Sequence, residues 1–280
     1  MADIETYFEQ SQLWGRPPEA YQLGVRRDIL NLVGNSPTSV LDVGCGDGII
    51  TNVLPNTMRV VGLDSSREAL KHVGRETVHA TAGQIPFENA AFDLVMANDL
   101  LEHLAPADLP RALVEIQRVA KRWILITVPF MESIPSGMTR CGACGCIYHV
   151  NQHHRAFGVQ ELRQLFPWRS PALMVFSGAD VNSVETIQRH LRAQVGVLNH
   201  WDMATCPECG QRASVGSSAR ISALVDRAAN QWAPLIGAQH PDRSECIAVY
   251  SLDGTLPAKL ACIVDSLSVQ CEPQPPRVFT

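Results

Sequence analysis

Two short segments of the chain contain most of the residues suited to metal or redox chemistry. TRCGACGCIYHVNQHHRAF (139–157) has three cysteines and three histidines, and TCPECGQ (205–211) adds two cysteines. Each segment contains one C-x-x-C pair, and the four residues are Cys141, Cys144, Cys206 and Cys209. Two such pairs brought together form a tetrahedral site with four thiolate ligands, the geometry of structural zinc. The spacing therefore predicts one structural Zn²⁺ ion held by both segments.

Other interpretations of these cysteines stay open from the sequence. A thioredoxin-like redox centre needs a C-x-x-C that opens a helix after a strand, whereas both pairs here lie in Gly- or Pro-containing turns. A catalytic zinc keeps an open position and usually has His or carboxylate ligands. One of the four cysteines could accordingly be replaced as a ligand by a nearby Cys146, His149, His153 or His154.

A glycine-rich turn near the N-terminus predicts a binding site for a small ligand. VLDVGCGDG (40–48) places Asp42 before Gly44, Gly46 and Gly48 at a junction of strand, loop and helix. A dinucleotide fingerprint would need glycine at Ile49, and no phosphate-loop Gly-Lys-Ser/Thr follows, so a bound pyrophosphate is not favoured. A carboxylate before the glycines repels phosphate and favours a cationic ligand.

Asp64 ends the next strand-like stretch, VVGLDSS. A carboxylate at this place can accept hydrogen bonds from both hydroxyls of a ribose. It could instead cap the helix that begins near Ser66. The glycine turn upstream favours the ribose.

Apolar strand-like runs alternate with helical stretches along the chain. The strands are predicted at 39–44, 59–64, 92–98, 123–130, 172–178 and 245–252, and the helices at 19–33, 66–74, 108–120 and 158–166. This order predicts an α/β fold with a doubly wound, mostly parallel sheet whose ligands bind beyond the carboxyl ends of the strands.

The predicted sheet divides the chain into a core, a cap, a lid and a tail. The core covers 36–135 with 156–178 and 243–256. An N-terminal helical cap precedes it at 1–35, a zinc-binding helical lid is inserted at 136–155 and 179–242, and a flexible tail follows at 265–280. Aromatic residues in the cap, namely Tyr7, Phe8, Trp14 and Tyr21, are candidates to line a pocket.

Composition narrows the class of partner. The formal net charge is −5, hydrophobic residues make up 46%, and no Lys/Arg-rich run occurs, so a nucleic-acid surface is not supported. The start MADIETYFEQ has no basic region followed by an apolar one, and no run of about 18 apolar residues occurs. We expect a cytoplasmic protein without a membrane partner that acts on a small molecule. The oligomeric state stays open.

The motifs VLDVGCGDG, VVGLDSS, GQIPFENAAFDLVMANDLLEHL and VAKRWILITVPF together resemble the class I S-adenosylmethionine-dependent methyltransferases. The resemblance covers about residues 20 to 130. It implies a Rossmann-like, seven-stranded sheet whose last strand is antiparallel, and ECIAVYSL fits that strand. It also implies S-adenosylmethionine as the cofactor.

The resemblance assigns cofactor contacts to positions of this sequence. The glycine turn would line the methionine part, Asp64 would hold the ribose, ATAGQIPF would touch the adenine, and Asn98 and Asp99 would lie beside the sulfonium. The full set of implied contacts is Asp42, Gly44, Cys45, Gly46, Gly48, Asp64, Ser65, Ala82, Gly83, Asn98, Asp99 and His103. For His103, a packed or capping histidine is an equal alternative.

The acceptor side is predicted from HVNQHHRAFGVQEL. Similar small-molecule methyltransferases have a histidine shortly before a Phe and a helix, so His153 or His154 is a candidate base for a hydroxyl proton. Metal binding or helix capping is the other role open to them. We expect methyl transfer to a hydroxyl of a sugar or secondary metabolite. The alternatives are N-methylation of a small amine and a zinc-containing RNA-modifying or non-catalytic binding protein.

Overall fold

A computed structural model describes residues 7–167, 169–179, 184–200, 204–212, 214–215, 223–227 and 243–257. The predicted tail at 265–280 lies outside these residues, as do the first six residues of the predicted cap and much of the predicted lid at 179–242. No helix of the described ranges is both long and apolar enough to cross a bilayer.

The core is a seven-stranded sheet. Its strands are β1 (Ser39–Val43), β2 (Arg59–Asp64), β3 (Glu76–His79), β4 (Phe92–Asn98), β5 (Ala120–Pro129), β8 (Leu173–Ser177) and β10 (Glu245–Ser251). They lie in the order β3-β2-β1-β4-β5-β10-β8. The pairs among β1 to β5 are parallel, and β10 is antiparallel to both of its neighbours, β5 and β8. The predicted doubly wound sheet with one antiparallel last strand is confirmed.

One strand of this sheet was not predicted. β3 has no counterpart among the strands expected from apolar runs, because ETVH is polar and none of its residues is buried. It pairs only with β2 and so forms an edge of the sheet.

Helices cover both faces of this sheet. Successive residues of a strand point to opposite faces, and Leu41 packs in the apolar cluster that contains Ile116, whereas Val40 packs in the cluster that contains Ile29. Burial on both faces explains why β4, FDLVMAN, is buried at every position.

The helices are α1 (Ala20–Val33), α2 (Arg67–Leu70), α3 (Leu109–Val119), α4 (Val159–Gln164) and α5 (Val184–Gln194). Two helix predictions are wrong. After the glycine turn the chain forms only a 3-10 turn, Thr51–Val53, instead of a helix. The helix predicted at 66–74 stops at Leu70, because the following backbone N–H groups of His72 and Val73 bond three residues back.

A second, three-stranded sheet carries the two cysteine segments. It consists of β6 (Met138–Cys141), β7 (Ile147–His149) and β9 (Ser214–Val215) in the order β7-β6-β9, with both pairs antiparallel. Two of its strands, β6 and β7, lie between β5 and α4 in sequence, whereas β9 follows α5. Cys141 pairs with Ser214, so the sheet joins segments that are far apart in the chain.

Candidate functional site

A cleft of about 520 Å³ opens beyond the carboxyl ends of β1, β2 and β4. Of the predicted cofactor contacts, all except Gly48 line it: Asp42, Gly44, Cys45, Gly46, Asp64, Ser65, Ala82, Gly83, Asn98, Asp99 and His103. Gly48 lies outside the lining and, with a φ of 82°, closes a turn in which its N–H donates to the Cys45 carbonyl. Residues from several separate stretches of sequence thus meet in one cavity.

The glycine turn brings backbone close to the cleft. Gly44 has a φ of 70°, a conformation that favours glycine, and a Cβ there would lie 2.7 Å from Leu100 Cδ1. At Gly46 a Cβ would meet the Trp14 ring at 3.2 Å. The N–H groups of Gly44 and Cys45 both donate to the Leu63 carbonyl, which ties the turn to β2. The turn therefore leaves space that side chains would fill.

Asp64 fastens the glycine turn to the start of α2. Its two carboxylate oxygens accept hydrogen bonds from the backbone N–H groups of Gly46 and Ser66, each at 2.8 Å. Burial raises the pKa of Asp64, although these N–H groups oppose the shift. Each carboxylate oxygen has a second lone pair, so Asp64 can still accept from a ribose. The cap of α2 is Ser66, whose Oγ accepts from the Ala69 N–H.

Asp42 and Asn98 form a buried hydrogen-bonded floor. Asp42 accepts from Thr51 Oγ1 at 2.6 Å and from Asn98 Nδ2 at 3.0 Å, and Thr127 Oγ1 donates to Asn98 Oδ1 at 3.0 Å. Burial raises the pKa of Asp42 to about 6, against the lowering by Thr51 and Asn98. The chain of bonds fixes the orientation of the Asn98 amide beneath the cleft.

Asp99 supplies a carboxyl group at the wall of the cleft. Its φ is 47°, and the residue is exposed to solvent in the cleft. Desolvation by the cleft walls raises its pKa, and the charges of Asp42 and Glu132 act in the same direction. A nearby positive charge, such as that of a sulfonium or an amine, favours the ionised form of Asp99.

The N-terminal segment lies over the glycine turn. The Phe8 carbonyl accepts from Trp14 Nε1 and from Ser66 Oγ, and the Gly15 N–H donates to Asp47 Oδ2 at 2.9 Å. Of the four aromatic residues proposed from sequence, Phe8, Trp14 and Tyr21 line the cleft, whereas Tyr7 is buried beside Phe8. This segment shields the ligand side of the turn from water.

A group of titratable side chains adjoins the cleft at His103. We call it the histidine–glutamate cluster, and its members are Glu102, His103, Glu132, His149 and His153. The His153 ring contacts His103 edge-on and stacks on His149, at centroid distances of 4.7 and 4.8 Å. His153 Nδ1 lies 2.5 Å from Glu132 Oε2, and His149 Nε2 lies 3.5 Å from Glu132 Oε1.

Several pKa values within the histidine–glutamate cluster are strongly shifted. Burial raises the pKa of Glu132, but the neighbouring His153 and His149 outweigh it and bring the pKa to about 2. Desolvation lowers the pKa of His103 to about 3, so this ring is neutral. Glu132 was not recognised in the sequence. The one signal available was its position shortly after β5 ends at Pro129, where carboxyl ends of strands meet.

The two histidines proposed as bases occupy different places. His153 is buried in the histidine–glutamate cluster, whereas the side chain of His154 is exposed and its backbone N–H donates to the Glu102 carbonyl. Neither histidine lines the cleft, but His153 contacts His103, which does.

The four predicted zinc cysteines come together, and we call them the four-cysteine site. Cys141 Sγ lies 3.6 Å from Cys209 Sγ, Cys144 Sγ lies the same distance from Cys206 Sγ, and all four sulfurs lie within 4.8 Å of one another. A tetrahedron with Zn–S bonds of about 2.3 Å has edges of roughly 3.8 Å, so the sulfur positions fit this ion. Backbone N–H groups, first that of Cys144, lower the pKa of Cys141 to about 6. The set contains neither Cys146 nor a histidine.

The two cysteine turns share one backbone design. Each C-x-x-C is followed by a glycine in the left-handed region, Gly145 at 79° and Gly210 at 69°. The N–H of each glycine donates to the carbonyl of the first cysteine of its pair at 2.9 Å. The repeated turn aims both thiols of a pair to one side.

Comparison with known proteins finds similarity within the core. The sequence model of a family described as "Methyltransferase domain" matches residues 41–123, which contain the glycine turn, Asp64 and Asn98. This part of the chain is therefore similar to a methyltransferase domain. The match leaves out the cysteine segments and the histidines at 149–154.

Several curated proteins are similar to this chain over part of their length. An uncharacterized protein of Methanocaldococcus jannaschii is 36% identical over 105 residues, which are 36% of this chain and 40% of that protein. An uncharacterized methyltransferase of Synechocystis is 35% identical over 97 residues, 32% of this chain and 46% of that protein. The chain spans less than half the length of the curated relatives that it matches.

The crystal structure of a SAM-dependent methyltransferase from Archaeoglobus fulgidus has the same fold as this chain. It superposes with a TM-score of 0.50 at 16% identity, covering 81% of this chain and 90% of that one. At this identity the likeness concerns the fold alone.

Proposed function

We propose that the protein transfers a methyl group from S-adenosylmethionine to a small-molecule hydroxyl, as found on a sugar or a secondary metabolite. The observation that carries this proposal is the position of His153, which contacts the cleft residue His103 and is hydrogen-bonded to Glu132. A cofactor cleft with a buried histidine–carboxylate pair at its side suits an acceptor that must lose a proton.

The residues of the cleft position the two reactants. S-adenosylmethionine, when bound, supplies the electrophilic methyl group. The glycine turn and Asp64 hold the nucleoside end, and Asp99 complements the positive sulfur. Phe8 and Trp14 exclude water, so methyl transfer depends mainly on alignment of the acceptor oxygen with the methyl carbon.

The four-cysteine site is proposed to hold one structural Zn²⁺ ion. Its ligands are all cysteines, which leaves no open position for a substrate. The ion would join β6 to the segment at 204–212 and so fix β7, which ends at His149. Zinc thereby stabilises the acceptor side of the cleft without taking part in the reaction.

N-methylation of a small amine is the second candidate. The carboxyl group of Asp99 faces the cleft and has acidic neighbours, among them Glu132. Such surroundings favour a cationic ligand over an anionic one. An amine needs no early loss of a proton once it is neutral, so this function would not depend on His153.

The test is release of S-adenosylhomocysteine from S-adenosylmethionine with a panel of hydroxylated and amine-bearing small molecules. For a hydroxyl acceptor, His153→Gln is expected to lower kcat by roughly 10²- to 10⁴-fold. His154→Gln, whose side chain is exposed, serves as the matched control. Turnover with amines alone, insensitive to His153→Gln, would favour the second candidate. No turnover with any acceptor, despite cofactor binding, would contradict both.

A further inference from the structure

Glu102 is a buried carboxyl group that lacks a partner in the described part of the chain. Its residue exposure is 0%, and neither of its oxygens makes a hydrogen bond. Nδ1 of the neighbouring His103 is likewise buried and unbonded. Buried polar groups without partners are costly, and native proteins nearly always satisfy them with protein, water or an ion. A bound ion would satisfy both of these groups, which belong to adjacent residues.

Three potential ligand atoms converge at this place. Glu102, His103 and His153 each offer one, and these atoms lie within 4.8 Å of one another. The Glu102 Oε1 to His103 Nε2 distance of 4.0 Å is too long for a hydrogen bond. Two histidines and one carboxylate form a ligand set that suits divalent zinc or iron and leaves further positions open.

Glu132 orients His153 for this role. In the neutral form of His153, the bond between Nδ1 and Glu132 Oε2 leaves Nε2 with its lone pair. Histidines that bind metals usually donate their other nitrogen to a carboxylate in this way, which fixes the tautomer. Glu132 therefore supports the ligand set from outside.

His149 belongs to the support and not to the ligand set. Its Nδ1 accepts the backbone N–H groups of Asn151 and His153 at 3.3 Å. In the neutral form of His149, the proton is then on Nε2, which faces Glu132 Oε1. A nitrogen that carries a proton cannot bind a metal ion, so three ligands are left.

We propose that Glu102, His103 and His153 bind one divalent transition-metal ion beside the cleft, separate from the four-cysteine site. Of the three ligands, His103 lines the cleft, so the ion would lie next to it. Its role in catalysis rests on the proposed function. The charge of the ion would lower the pKa of an acceptor hydroxyl, whose proton would pass to water. The oxygen would bond to the methyl carbon as the S–CH3 bond breaks, and S-adenosylhomocysteine would leave. His153 then acts through the ion instead of accepting the proton.

Metal stoichiometry tests the proposal. Purified full-length protein is equilibrated with Zn²⁺, freed of loose metal by gel filtration and analysed by mass spectrometry. The expected content is two ions per chain in the wild type and one in Glu102→Gln or His153→Gln. His154→Gln, the exposed neighbour, should keep two. Glu132→Gln should weaken the second site roughly 10- to 100-fold in a zinc titration.

If the variants do not fold, the zinc content of the wild-type protein alone tests the proposal. One zinc ion per chain in the wild type, or two ions in a folded Glu102→Gln, would overturn the metal site. Water or a protonated carboxyl group would then satisfy Glu102. These results differ from a failure of the proposed function. A protein with two ions that releases no S-adenosylhomocysteine keeps the metal site and loses the methyl transfer to a hydroxyl.

Discussion

Replacing Asp64 with Asn tests the cofactor assignment most directly. The substitution preserves the size of the side chain but exchanges one oxygen for an NH2 group. In the wild type, both oxygens accept backbone N–H groups at 2.8 Å, from Gly46 and from Ser66. One of these two N–H groups would therefore face a donor in the variant.

Two separate losses follow from this geometry. An unsatisfied buried N–H costs about 1 to 3 kcal/mol of folding free energy. The charge-assisted hydrogen bond from a ribose hydroxyl is worth about 1.5 to 3 kcal/mol, and its loss weakens cofactor binding roughly 10- to 100-fold at 1.4 kcal/mol per tenfold. Stability and affinity should thus fall together.

The assay is calorimetric titration with S-adenosylhomocysteine, combined with thermal unfolding. Asp93→Asn is the matched control, because Asp93 is a buried carboxylate at the opposite end of β4 that accepts from the Thr38 N–H and Oγ1. The control should lose stability and keep its affinity. If Asp64→Asn binds S-adenosylhomocysteine within about twofold of wild type, the ribose role of Asp64 is refuted.

Three further outcomes follow from local structure. Cys206→Ser should abolish zinc binding at the four-cysteine site and lower the melting temperature, measured by metal analysis and thermal unfolding. Gly44→Ala should weaken S-adenosylhomocysteine binding, because its Cβ would contact Leu100. At Gly24 in α1 no atom lies within 4 Å of an added Cβ, so Gly24→Ala should stabilise the folded protein by about 0.5 to 1 kcal/mol, measured by urea unfolding. Burial raises the pKa of Asp253, but its hydrogen bonds and ion pair lower it to about 2. Asp253 contributes about 1 kcal/mol or less to the free energy of unfolding, because a third of its side chain is exposed. This stability is present above about pH 4 and lost towards pH 2, so Asp253→Asn should be as stable as the wild type in acid.

The positions of most strands were predictable because a buried strand requires a local run of apolar residues. Strands covered on both faces, such as β4, consist of consecutive apolar residues, and the helices between them have one apolar face. An edge strand does not need such an apolar run, which is why β3 was not predicted. The helix expected after the glycine turn does not form, because the chain there makes a 3-10 turn in which Thr51 donates a hydrogen bond to Asp42 at the floor of the cleft.

The cofactor side of the site was more predictable than the acceptor side. Glycines with positive φ and a carboxylate at a strand end occur at a fixed spacing, so sequence alone assigns them. Glu132 has no motif, and its role depends on His149 and His153, which β7 and the following loop bring beside it. The choice of His153 over His154 also needed the structure, because neighbouring residues differ here only in which way their side chains point.

By itself, the sequence determined the α/β sheet, the glycine turn with Asp64 and the pairing of four cysteines, because each depends on a local pattern of residue types. Only the tertiary structure decided that Glu102, His103, Glu132, His149 and His153 form one cluster next to the cleft. These residues come from three separate stretches of the chain. β7, the loop after it and the segment that follows β5 bring them together, and no residue spacing within the sequence predicts that proximity.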